Sequence, residues 1–159
     1  MKLHTLQSHI WLPQSREEIF GFFADAKNLQ RLTPPWLHFE ILTPDPIHMA
    51  AGTLLDYRLK LHGIPLRWQS EIAVWEPPNR FVDRQTRGPY RWWVHEHTFA
   101  QENDGTAVTD HVQYAGLGGA LIHRFFVAPD LAKIFTYRRQ ILQGIFNPEG
   151  LKPPTAGAG

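Results

Sequence analysis

The sequence predicts an α+β protein: a curved, seven-stranded antiparallel sheet wrapped around one long C-terminal helix, with two short helices between strands 1 and 2. Three observations predict it. Short alternating segments separated by strong turn signals fill the chain from about residue 37 to residue 116. A proline-bounded helical stretch separates these from a lone N-terminal strand. A sustained apolar stripe at 3.6-residue spacing appears only near the C-terminus.

In KLHTLQSHIWL (2–12), Leu6, Ile10 and Leu12 fall on one side of a strand that Pro13 ends. PQSREEIFGFFADAKNLQRLTP then reads as two short helices. Ser15 followed by Glu18 is a capping box, and Ile19, Phe22 and Phe23 supply the apolar stripe. Asp25 caps the second helix, AKNLQRL, which stops before Pro34–Pro35. Six strands follow: LHFEIL, GTLLDYRLKL, PLRWQSEIAVW, RFVDRQT, YRWWVHEHTFAQ and TAVTDHVQYAG. Their separators are PDPIHMAAG, HGIP, EPPN, RGP and NDG, and the last is a hairpin signal. Connections this short pair neighbours antiparallel.

Near the C-terminus, Leu131, Ile134, Phe135, Arg138, Ile141, Leu142 and Ile145 share one helix face, and Pro129 is placed to open that helix. GGALIHRFF before it reads as a separate shorter piece. The domain is expected to span residues 1–147, with 148–159 a disordered tail lacking apolar periodicity. A sheet with one apolar face has to cover it, and this helix is the only element long enough. The space between sheet and helix is a natural ligand cavity.

Composition narrows the function classes. With 16 basic and 15 acidic residues spread along 159, the net charge is +1, without the basic stripe of a nucleic-acid binder. The chain has no cysteine, which removes thiolate chemistry and cysteine-bound metals and fits a reducing cytoplasm. There is no signal-peptide run and no apolar window of membrane-spanning length, so a cytoplasmic protein without stable membrane insertion is expected. Six Trp, ten Phe and nine His are a heavy aromatic and imidazole load for one domain.

Taking the more apolar parity of each strand as its concave face assigns the cavity wall. Tyr57 and Leu59 come from one strand, Trp68 and Ser70 from the next, and Phe81, Asp83 and Gln85 from the third. Trp93, His95, His97 and Phe99 follow, then Asp110 and Tyr114 on the last strand, with Phe135 and Arg138 facing them from the helix. Val74 falls on the same parity as Trp68 and Ser70. The face is greasy at one end and polar at the other.

Carboxylates and imidazoles on adjacent strands lie close enough to pair. Four readings of that polar end stand open: a structural hydrogen-bonded network, an anchor for the polar head of an apolar ligand, an acid–base pair, or a metal site built on HxH plus Asp. No further histidine shares the face, so no metal is expected. Arg138 and Arg139 could close over an anionic group, although such residues commonly snorkel to water. GLGG (116–119) lacks the spacing and lysine of a phosphate loop and reads as the entrance between sheet and helix.

NLQRLTP, GTLLDYRL, PLRWQSEIAVWEPP, FVDRQTRGPYRWWVHEHTF, GTAVTDHVQY and IFTYRRQIL together resemble the helix-grip fold. START domains, plant pathogenesis-related proteins and polyketide cyclases share that fold as the SRPBCC superfamily. The resemblance covers residues 1 to about 147 and is strongest to its bacterial single-domain, polyketide cyclase-like ligand-binding subgroup. It implies a hydrophobic cavity beneath the long helix that holds a lipid, isoprenoid, aromatic or polyketide-like small molecule, with no cofactor. It carries no catalytic motif onto this chain. A carrier or sensor is the leading expectation, and a cyclase, dehydratase or hydrolase using an Asp–His pair is the alternative.

Overall fold

Residues 1–151 are described by the computed structural model; residues 152–159 lie outside it. Seven strands form one antiparallel sheet: β1 (His4–Leu12), β2 (Glu40–Ile41), β3 (Leu54–Leu61), β4 (Ile64–Glu76), β5 (Arg80–Arg87), β6 (Trp92–Glu102) and β7 (Gly105–Ala115). Their order is β1-β7-β6-β5-β4-β3-β2, so everything after β1 is a meander that brings β7 back beside β1. Helices α1 (Arg16–Ala24) and α2 (Lys27–Leu32) lie between β1 and β2. The chain closes with α3 (Gly119–Ile122) and α4 (Ala128–Phe146).

Local chemistry accounts for most boundaries. Ser15 Oγ accepts from the Glu18 amide at the start of α1, and Asp25 Oδ1 accepts from the Lys27 amide at the start of α2. The β3–β4 turn puts His62 at φ 50° and Gly63 at φ 78°, and the β6–β7 turn puts Asn103 at φ 47° and Asp104 at φ 59°. Two successive left-handed residues match the twist of a tight hairpin.

Three features depart from the sequence expectation. The strand expected over 37–42 is only Glu40–Ile41, paired to Arg58 and Tyr57. Leu37 belongs instead to a 3-10 turn that Pro35 opens. The piece before α4 is not separate: a π-helical turn, His123–Val127, joins α3 to α4. Pro129 has no amide hydrogen to give the carbonyl four residues back, and the Ala128 amide reaches His123 O, so the ladder widens into a π turn without breaking. In β4, Ile72 faces Asp83 while Val74 faces Val82, which makes Ala73 an extra residue. That bulge moves Trp75, not Val74, to the inner face, where its ring meets Phe20 at 5.1 Å and Phe81 at 5.6 Å. Of the tail, Pro148–Leu151 forms a 3-10 turn after α4, and the rest lies outside the described residues.

The interior holds two apolar clusters along α4. Leu142 joins Leu12, Ile19, Phe20, Phe23, Phe99 and Val108 in one. Leu131 and Phe135 join Trp68, Trp93, Val112 and Tyr114 in the other. A polar belt lies between them. No helix of the described residues is long and apolar enough to cross a membrane.

The bulge has a measurable consequence. Trp75→Ala should destabilise the protein by about 3 kcal/mol, and Val74→Ala by less than about 1 kcal/mol. Urea denaturation of both variants would read this; equal losses would remove the bulge.

Candidate functional site

Residues of the concave face line a cavity of about 210 Å³ between the sheet, α2 and α4. Tyr57 and Leu59 of β3, Trp68 and Ser70 of β4, and Phe81 and Asp83 of β5 line it. So do Trp93, His95 and His97 of β6 and Phe135 and Arg138 of α4. The helix sets the last two because Leu131, Phe135, Arg138 and Leu142 recur on its buried side.

Four expected residues are not brought to the cavity. Phe99 is packed in the aromatic cluster, 5.2 Å from Phe20 and 5.1 Å from Phe23. Gln85 turns to the loop before β6, donating to Tyr90 O at 2.7 Å and accepting from the Tyr90 amide at 3.2 Å. A β5 irregularity between its pairings with Gln69 and Ser70 accompanies this. Asp110 lies behind the imidazoles, and Tyr114 bonds His123 at 2.9 Å. Sequence parity also missed the other side of the cavity: Leu29, Leu32, Thr33 and Leu37 from α2 and its sequel, Met49, Tyr90 and Ile134. Leu29, Leu32 and Ile134 carried a signal in their helical spacing; Met49 and Tyr90 sit in loops without periodicity.

At the apolar end, Ser70 Oγ is a hub. It accepts from Trp68 Nε1 at 3.0 Å and shares a 3.0 Å bond with the Tyr57 hydroxyl. The Trp68 and Trp93 rings meet edge to face at 5.2 Å. Burial, aided by the Asp83 charge, pushes the Tyr57 phenol well above its ordinary pKa, so it stays neutral.

At the polar end the strands interleave two acids with two bases. Asp83 pairs in register with His95, and His97 with Asp110. The Nε2 hydrogen bonds run instead along the diagonals: His97 to Asp83 Oδ2 at 2.9 Å, and His95 to Asp110 Oδ1 at 2.8 Å. This crossing stacks the imidazoles 3.7 Å apart, and Phe81 stacks on His97 at 4.0 Å. From α4, Arg138 Nη2 reaches Asp110 Oδ1 at 3.3 Å and His97 Nδ1 at 3.2 Å. Its Nε has no partner, but the guanidinium lies 5.1 Å over the Phe23 ring.

Arg138 is therefore not a snorkelling residue. It is 6 % exposed and closes the network, while Arg139 next to it points to solvent.

The charges follow from these contacts. Burial would raise Asp110, yet the Arg138 charge, the bond from His95 and the nearby His97 ring hold it well below the usual carboxylate range. Burial likewise opposes Asp83, and the His97 bond with the charges of His95, His97 and Arg138 brings it down. For His95, burial and then His97 lower the pKa, only partly offset by Asp110 and Asp83. Two ionised carboxylates thus face one permanent cation.

Asp83, His95 and His97 hold one ligand atom each within 4.8 Å of one another. A divalent cation there would have to break the His97–Asp83 bond beside a fixed guanidinium. Hydrogen bonding satisfies this donor set better than metal does. His95 presents a different chemical option. Its Nε2 is fixed by Asp110, and its Nδ1 stands 3.8 Å from Asp83 Oδ2, beyond hydrogen-bond reach. A neutral, carboxylate-oriented imidazole on a cavity wall has the form of a general base.

Comparison with known proteins gives a consistent fold. Residues 12–135 match the family model described as polyketide cyclase / dehydrase and lipid transport. Protein CV1439 from Chromobacterium violaceum superposes with a TM-score of 0.70 at 15% identity, over 91% of this chain and 99% of that one. The major latex-like protein 151 of Panax ginseng gives 0.67 at 10% identity, over 92% and 99%. TTHA0849 from Thermus thermophilus gives 0.65 at 17% identity, over 89% and 94%. At these identities the likeness is one of fold: a helix-grip protein with the START-like arrangement. No curated protein sequence matches the chain.

The network makes stability depend on pH. Asp83 and Asp110 are depressed in the folded state, so their contribution is present above about pH 4 and is lost as pH falls toward their folded values. His95 is also depressed: the unfolded chain takes up its proton near pH ~6.5 before the folded chain does, so stability starts to decline below that point. Arg138→Met, which leaves Asp110 buried without its cation, should cost about 3 kcal/mol at neutral pH and flatten the acid limb. Melting curves against pH for both proteins would show it; an unchanged acid limb would detach Asp110 from Arg138.

Proposed function

Because the chain belongs to the polyketide cyclase / dehydrase and lipid transport family, we propose that it binds and carries a compact hydrophobic small molecule in the cavity beneath α4. The observation that carries this reading is the cavity itself, walled by Leu59, Trp68, Trp93 and Phe135 at one end and by a hydrogen-bonded polar cluster at the other. A lining rich in aromatic rings, with one polar cluster, favours an aromatic or polyketide-like molecule over an extended lipid chain.

The polar end orients the ligand. Asp83, His95, His97 and Arg138 face the cavity, and the carboxylate of Asp83 there offers an acceptor to a ligand hydroxyl or other donor. Asp110 supports this from behind by holding His95 and Arg138. Ser70 and Tyr57 form a second, neutral polar spot. Residence in the cytoplasm belongs to the same proposal, and the absence of cysteine suits a reducing compartment. No cofactor enters the reading.

The Asp110–His95 geometry favours a second reading, a cyclase, dehydratase or hydrolase in which His95 removes a proton from the bound molecule. Substitution of His95 separates the two: in a carrier His95→Ala weakens binding with no turnover to lose, while in an enzyme His95→Gln abolishes turnover and apolar binding survives.

N-phenyl-1-naphthylamine, compact and apolar with one N–H donor, is a suitable probe of the cavity. It should gain fluorescence on binding and quench Trp68 and Trp93. Leu59→Arg, which fills the apolar end, should weaken binding at least about tenfold. Undiminished binding in that variant would place the probe elsewhere and remove the cavity as the site.

A further inference from the structure

We propose that the projection formed by α3 and the π turn docks on the surface of an anionic lipid bilayer. Leu121, Ile122, Phe125 and Phe126 recur at i, i+1, i+4 and i+5 and so share one helix face. No residue of α3 or the π turn is buried, and Leu121 and Phe125 are 70% and 61% exposed. Leu117 extends the surface on one side. On the other, Phe126 lies 6.4 Å from the His62 ring at the β3–β4 turn, where Ile64 is 63% exposed. Single exposed leucines are ordinary, but a continuous set of large apolar side chains needs a partner.

The projection is held in place rather than loose. His123 stacks on His4 of β1 at 3.5 Å and bonds the Tyr114 hydroxyl of β7 at 2.9 Å. His62 bonds Asp130 of α4 at 2.7 Å. These contacts tie the segment to β1 and β7 and the start of α4 to the β3–β4 turn, and leave its apolar face outward.

Charge identifies the partner. Residues 59–68 and 116–129 contain no Asp or Glu but include Lys60, Arg67 and Arg124, and Asp130, which follows directly, is taken up by His62. None of these three cations is ion-paired among the described residues. Arg124 lies within the apolar face, over the Phe125 ring, and Lys60 and Arg67 stand on the outer face of the β3–β4 hairpin whose turn meets Phe126. Such a surface complements a bilayer whose headgroups are anionic: the rings enter the acyl boundary and the cations meet phosphate. A twofold contact between two copies would bring the same cations together.

The position matters too. A surface depression of about 490 Å³ beside Trp36, His62, Asp130 and Lys133 shares Leu37, Leu61 and Ile134 with the cavity. Docking would turn this side of the protein toward the bilayer. The inference does not rest on the cavity being occupied.

Flotation with large vesicles tests it. The protein should float with vesicles of phosphatidylcholine mixed with phosphatidylglycerol, and not with pure phosphatidylcholine. The double variant Leu121→Ser, Phe125→Ser should lose at least about tenfold in vesicle affinity. Arg124→Glu with Lys60→Glu, which keeps every apolar side chain of the projection, should lose binding to the anionic vesicles to a similar degree. Unchanged melting temperatures would show that each variant is folded. Failure of the wild-type protein to float with anionic vesicles would overturn the proposal, as would binding unaffected by either pair of changes. A dimer in solution that the Leu121 and Phe125 changes dissociate, without vesicle binding, would assign the face to a second copy and overturn it equally.

Discussion

Arg138 lies inside the protein because Asp110 is already there. Along α4 it falls between Phe135 and Leu142, along β6 the histidines fall between Trp93 and Phe99, and along β7 Asp110 falls between Val108 and Val112. Three elements thus place their polar residues at one level, between two apolar clusters. Buried charge is tolerated only when paired and hydrogen-bonded, so the helix has one register in which guanidinium, carboxylates and imidazoles all find partners. Apolar packing alone would accept small slips of α4; the belt does not.

That constraint also shapes the cavity. A sheet wrapped around a helix could fill the space between them with side chains. Here the belt holds α4 at a fixed height over β6 and β7, and the aromatic rings of Trp68 and Trp93 line the gap without closing it. One wall is consequently hydrocarbon and indole, and the opposite wall is fixed polar groups whose charge states are set by burial and by each other. Such a site can hold an apolar body and align one polar group, and if the bound molecule has an acidic proton, His95 is placed near it.

Much of this was legible from period and chemistry alone. The alternation of Trp93, His95, His97 and Phe99 put both histidines on the buried face, and the structure keeps them there. Ser15 and the NDG turn announced their elements because capping and left-handed turn positions depend on few residues. The failures have equally local causes. Ala73 adds one residue to β4, and a period of two cannot survive an insertion, so Trp75 and Val74 exchange faces. Parity puts Asp110 and Phe99 on the correct face but says nothing of depth, and both lie behind residues that reach the cavity. The sequence left Arg138 open between closing the cavity and snorkelling to water, because its partners, Asp110 and His97, are 28 and 41 residues away. Loops such as the one bearing Met49 have no period to read.

The most direct test of the cavity as a binding site is native mass spectrometry of the protein purified from the cells that make it, followed by extraction of whatever it retains. The account predicts one compact, predominantly apolar molecule bearing a hydroxyl or similar donor, held in near-stoichiometric amount and displaced by Leu59→Arg. A protein that emerges empty, and then takes up no apolar probe in the cavity, would contradict it.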